Sequence, residues 1–105
     1  MNDIQTEIKD KLSKEIGTAP WSLLEIHAHN DHLILVAAHI DLVEAAVAVV
    51  TNDAARVSRW IEEKSLDKPK LTDWKTFQNT PGLRFHFVIA HPFVLAKEID
   101  ISNGH

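Results

Sequence analysis

The sequence predicts an α+β fold: a small two- or three-stranded sheet covered by about five helices, in the order α-α-β-α-α-α-β-β. Three observations carry this. Leu83 to Ala90 alternates at its start, with Leu83, Phe85, Phe87 and Ile89 facing one way and Arg84 and His86 the other. Alternation of period two is the mark of a strand. Leu33 to Ala38 is a continuous apolar run of strand length, suited to a strand covered on both faces. The remaining apolar residues recur mostly at helical spacing, behind residues able to cap a helix.

Residues 1–17 read as an N-terminal amphipathic helix and its stop. Ile4, Ile8, Leu12 and Ile16 form a narrow stripe. Asn2 or Asp3 can accept the first free amides, and Gly17 suits the left-handed residue after a helix. Thr18-Ala19-Pro20-Trp21 reads as a second helix start, with Pro20 at a position whose amide would be unpaired anyway. Trp21, Leu24 and Ala28 then share a face, and the helix ends near residues 29–31.

After the apolar run, Asp41-Leu42-Val43-Glu44 has the spacing of a capping box, with aspartate in place of serine or threonine. The segment to Val50 is apolar on nearly every side and reads as a central helix. Asp53 can cap a further helix with Val57, Trp60 and Ile61 inside and Arg56, Arg59, Glu62 and Glu63 outside. Lys68-Pro69-Lys70 is a connection. Thr72 is the expected cap of a short helix carrying Trp74 and Phe77, and Thr80-Pro81-Gly82 is a turn. Pro92 removes a ladder donor, so the strand from Leu83 bends, bulges or stops there, and Phe93 to Ile99 is expected as an edge strand. Residues 100–105 are expected to fray.

Length and composition bound the rest. A chain of 105 residues is expected to form a single domain, 1–105, and to bury roughly two thirds of its unfolded surface. Hydrophobic residues at 45% and charged residues at 25% are ordinary for a globular domain. The absence of cysteine excludes disulfides, thiolate metal sites and cysteine nucleophiles. No signal peptide or membrane-length apolar stretch is visible, so a cytosolic, soluble protein with no membrane contact is expected. Net charge is −4, and the densest basic group, Lys64, Lys68 and Lys70, is broken by Asp67 and Pro69. No nucleic-acid partner is expected, since phosphate binding needs a basic face.

One string looks like chemistry. His27-Ala28-His29-Asn30-Asp31-His32 reads H-x-H-x-D-H and resembles the metal-ligand string of the metallo-β-lactamase-like hydrolases. Imidazole and carboxylate suit zinc or iron, and such a site can make a nucleophile of bound water. The setting argues otherwise. Those hydrolases resemble large duplicated αββα sandwiches, and their string leads into a glycine and a helix; here it leads into an apolar strand. On a helix, His27 and Asp31 would share one face and His29 and His32 another. A polar helix end and turn is therefore the expectation, with His27, His29, Asp31 and His32 as the metal candidates set against it. His39 is expected to be a structural histidine, able to meet His86 or His91 if their strands pair. Glycines stand only at 17, 82 and 104, so no phosphate-cradling loop is present. No G-x-S-x-G supports a serine nucleophile. Trp21, Trp60 and Trp74 read as core residues.

Pro20-Trp21, the apolar strand, Asp41-Leu42-Val43-Glu44-Ala45, Asn52-Asp53 with Val57 and Trp60-Ile61, and Ala90-x-Pro92-Phe93-Val94-Leu95 together resemble the bacterial family called domain of unknown function 2288. The resemblance covers residues 18 to 98. It implies a bacterial cytosolic protein with no established activity, substrate or cofactor, and no shared histidines at 27, 29, 32 and 39. The expected function is a non-enzymatic binding or interaction module, a homo-oligomer, with no catalytic residue, no metal and no cofactor, and with any small-molecule ligand unknown. The alternatives are a metal-dependent hydrolase using His27, His29, Asp31 and His32, and a regulatory small-molecule binder using Trp and Phe side chains.

Overall fold

A computed structural model describes residues 3–99. Among these, five helices and five strands follow in the order α1 (Asp3–Lys14), β1 (Gly17–Pro20), α2 (Trp21–His29), β2 (Leu33–Val36), α3 (Leu42–Val50), α4 (Ala54–Glu62), β3 (Leu66–Asp67), α5 (Leu71–Gln78), β4 (Arg84–Ala90) and β5 (Phe93–Glu98). The fold is α+β as expected, and each expected helix is present. The two- or three-stranded sheet is corrected to a mixed sheet of five, ordered β1-β4-β5-β2-β3. The expected order α-α-β-α-α-α-β-β lacked the short strands β1 and β3.

The sheet is built from three antiparallel pairings and one parallel contact. β4 and β5 form an antiparallel hairpin in which Ala90 faces Phe93, leaving His91 and Pro92 as a two-residue turn. The break at Pro92 is thus a reversal, and β5 is an interior strand rather than an edge. Its other side pairs in parallel with β2, Leu33 against Val94 and Leu35 against Ala96. β1 flanks β4, Gly17 against Phe87 and Pro20 against Arg84. β3 flanks β2, Val36 against Leu66. Both edges are short, one carrying Pro20 and the other followed by Lys68 and Pro69, devices that block further strand addition.

Helices cover both faces. On one, Leu12 of α1, Leu42, Ala45, Ala46 and Val47 of α3 pack with Val36, Val88 and Leu95, and Val57 and Trp60 of α4 pack at the margin. On the other, Trp21 and Leu24 of α2 pack with Leu33, Phe85, Val94 and Ala96, joined by Trp74 and Phe77 of α5. β4 therefore serves two cores, Phe85 to one and Val88 to the other, both essentially inaccessible. Five strands of one chain thus form the sheet, with β1 and β3 as its edges.

Gly17 does not stop α1. It opens β1, where the Phe87 ring lies over it, and a Cβ there would stand 2.8 Å from Phe87 Cε1. Pro20 ends β1 and precedes the first helical residue of α2. Asp41 caps α3 as expected, its Oδ1 accepting the amides of Val43 and Glu44 at 2.8 and 3.3 Å. Glu44 does not complete the box; its carboxylate instead reaches Lys9 and Arg56. Asp53 caps α4 by accepting the Arg56 amide. α5 starts one residue before Thr72, and Asp73 accepts the Lys70 amide at 2.8 Å in the role expected of Thr72.

Candidate functional site

The histidine string lies where α2 ends. The amides of His32 and Asp31 donate to the carbonyls of His27 and Ala28 at 2.9 and 3.0 Å, the paired bonds of a Schellman stop. Asp31 occupies the left-handed position, φ 67°, where glycine is usual. The four candidates go separate ways. His29 sets its ring edge-on to Trp74, 4.6 Å between centroids. Asp31 pairs with Lys68 Nζ at 2.8 Å. His32 turns toward Phe93, 6.4 Å between centroids. His27 is half-buried on the last full turn of the helix. Among the described residues, no three His, Asp or Glu side chains are grouped so as to hold a metal ion.

His39 meets neither His86 nor His91. Its Nε2 lies 3.2 Å from Ser65 Oγ. Among the described residues Ser65 is the one buried polar residue, 3% exposed, and its carbonyl also accepts the Ala37 amide at 2.9 Å. No carboxylate bonds the other nitrogen of His39 among the described residues, so the pair lacks the group that would orient a general base. It locks the turn after β2 onto the β3 segment. Ser65 escaped the sequence reading because a lone serine after a charged run carries no pattern.

The concave feature is elsewhere. A half-open cleft of about 460 Å³ lies between α4, the end of α3 and the sheet. Its walls are apolar: Ile34 of β2, Val49 of α3, Val57 and Ile61 of α4, Leu66 of β3 and Phe93 of β5. That size and character fit a small-molecule site. A second, more polar hollow of about 360 Å³ lies beside β3, among Lys64, Ser65, Lys70 and Asp73.

The apolar cleft exists because α4 is incompletely packed. α4 is the most amphipathic helix of the chain, yet none of its residues is buried. Ala54, Val57, Ser58 and Ile61 recur at i, i+3, i+4 and i+7 and share the face toward the cleft. Ile61 remains 55% exposed, although an apolar stripe ordinarily faces a core. The helix is held from the α1 and α3 side instead. Arg56 bonds Glu44 Oε1 at 3.1 Å and lies 4.9 Å over the Trp60 ring. Glu44 also pairs with Lys9 at 2.8 Å. Hydrogen bonds from Lys9 and then Arg56 hold the Glu44 carboxyl below the ordinary glutamate range, and Glu44 raises Lys9 in turn.

The sequence marked Val57 and Ile61 as an inner face, which was the one signal pointing here. It did not mark the opening beneath them. Phe93 is the aromatic residue in the lining, and Asn52, Asp53, Ser58, Asp67 and Lys68 add polar groups to its aliphatic wall.

No curated protein matches this chain. The fold is similar to a solved structure, the solution NMR structure of PA1075 from Pseudomonas aeruginosa, with a TM-score of 0.76 and 27% identity, covering 88% of this chain and 84% of that one. The family model described as protein of unknown function (DUF2288) matches residues 7–98, nearly the whole of the described structure, and the chain belongs to that family.

Proposed function

We propose that the protein is a cytosolic, non-enzymatic binding module whose ligand site is the cleft beneath α4. The observation that carries this is the unburied apolar face of the chain's most amphipathic helix, set across a 460 Å³ hollow from Ile34, Val49 and Phe93. Filling that hollow would remove Val57 and Ile61 from water, with about 25 cal/mol for each Å² of apolar surface buried.

The test uses 1-aminoanthracene, a neutral apolar fluorophore. Saturable binding of one molecule per chain is expected, with enhanced emission. Ile61→Glu, a change at an exposed position, is expected to weaken binding at least tenfold while leaving the thermal midpoint within a few degrees. Absence of saturable binding, or binding indifferent to Ile61→Glu, would overturn the proposal.

A further inference from the structure

We infer that the cleft selects an uncharged ligand, one with an apolar body and a single hydrogen-bonding end of the alcohol or neutral amide type. This rests on the cleft being the binding site and adds the class of molecule it takes.

The charged residues of the lining carry the inference. They are Asp53, Asp67 and Lys68. Each already has a counter-ion that lies outside the lining. Asp53 has the Arg56 guanidinium at 4.0 Å and also accepts the Arg56 amide. Asp67 has the Lys70 ammonium at 3.9 Å and accepts the Lys68 amide at 2.8 Å. Lys68 has the Asp31 carboxylate at 2.8 Å. Three carboxylates and three cations thus pair around the mouth, with Arg56 also bonded to Glu44, which Lys9 neutralises in turn.

A ligand with a charged head would have to displace one member of a pair or enter the apolar hollow without a partner. Each exposed pair is weak by itself. The decisive cost is desolvating the ligand's own charge against walls that offer no free opposite charge. An alcohol or amide carries a smaller desolvation cost and meets suitable groups. The Asn52 side-chain amide, just before α4, and the Ser58 hydroxyl, midway along α4, line the cleft, both exposed and uncharged. Either can receive the hydrogen-bonding end, while Ile34, Ile61 and Phe93 receive the body.

The test displaces bound 1-aminoanthracene with three molecules of one chain length, 1-heptanol, heptanoate and heptylammonium, at neutral pH and low salt. Heptanol is expected to displace the probe at a concentration at least tenfold below either ion. In Asp31→Asn, which keeps a residue tolerant of positive φ but frees Lys68, heptanoate is expected to improve severalfold while heptanol is unchanged. Probe binding with either ion as effective as heptanol in the unaltered protein would overturn the uncharged class and leave the binding proposal standing. An unchanged heptanoate affinity in Asp31→Asn would overturn the charge-balance argument. Failure of the probe itself to bind would overturn both.

Discussion

Asp31, Asn52 and Lys64 hold the left-handed positions that end α2, α3 and α4, with φ of 67°, 61° and 64°. Each is followed by the same pair of backbone bonds, for Lys64 the Ser65 amide to Trp60 and the Lys64 amide to Ile61. A chain with three glycines has thus made these stops from side chains that strain the backbone to different degrees. Lysine at positive φ costs about 1–2 kcal/mol. Glycine there would lose about 0.4–1 kcal/mol through its freer unfolded chain. Lys64→Gly should therefore raise stability by about 0.5–1 kcal/mol in urea denaturation, and Asn52→Gly by less, because asparagine visits this region readily. The histidine string was legible as a helix end for the same reason: Asn30 and Asp31 favour such stops. Its misleading appearance came from residue types alone.

Glu44 gives a pH signature at the same scale. Its carboxyl is lowered by Lys9 and Arg56. The folded protein therefore binds that proton less tightly than the unfolded chain. The resulting stabilisation is complete above the ordinary glutamate value of about 4.3 and is lost as pH falls through the folded value. Glu44→Gln should be less stable than the parent at pH 7 and should lose less stability between pH 5 and pH 3. Parallel stability–pH curves for the two proteins would contradict the assignment.

Among the elements, the helices were legible from their apolar period, and at α3 and α4 from their caps as well. Asp41 and Asp53 stand where capping needs a carboxylate, and both are used. Asp41→Ala should cost about 1 kcal/mol. Thr72→Ala should stay within about 0.5 kcal/mol, since Asp73 holds the start of α5. β1 and β3 were not legible. Four and two residues are too few to show a period, and Gly17 and Pro20 read locally as punctuation. Their strand state is supplied by pairing with β4 and β2, which only the assembled chain provides. The placement of β5 failed for a related cause. Its residues announce a strand after a proline, but its interior position depends on the return of β2 alongside it in parallel.

For the whole molecule, helices on both faces and short, proline-flanked edges leave the sheet complete within one chain. What is left unsatisfied is the inner face of α4. The sequence carried half of that result: it assigned Val57 and Ile61 to an inside, and the structure shows the inside to be a cleft. The opening itself was illegible, because it depends on how Arg56, Glu44 and Trp60 anchor the helix against α1 and α3 rather than on any pattern along α4. No helix among the described residues is long and apolar enough to cross a membrane, so the exposed apolar face is not part of such a span.

Ligand binding at the cleft beneath α4 is the central claim. Titrating 1-heptanol into isotope-labelled protein and following amide shifts by NMR tests it most directly. The predicted result is a saturable set of shifts centred on Ile34, Val49, Val57, Ile61 and Phe93, with His27, His29 and the hollow around Lys64 and Asp73 unmoved. Shifts centred on the end of α2, or scattered over the surface without saturation, would contradict it.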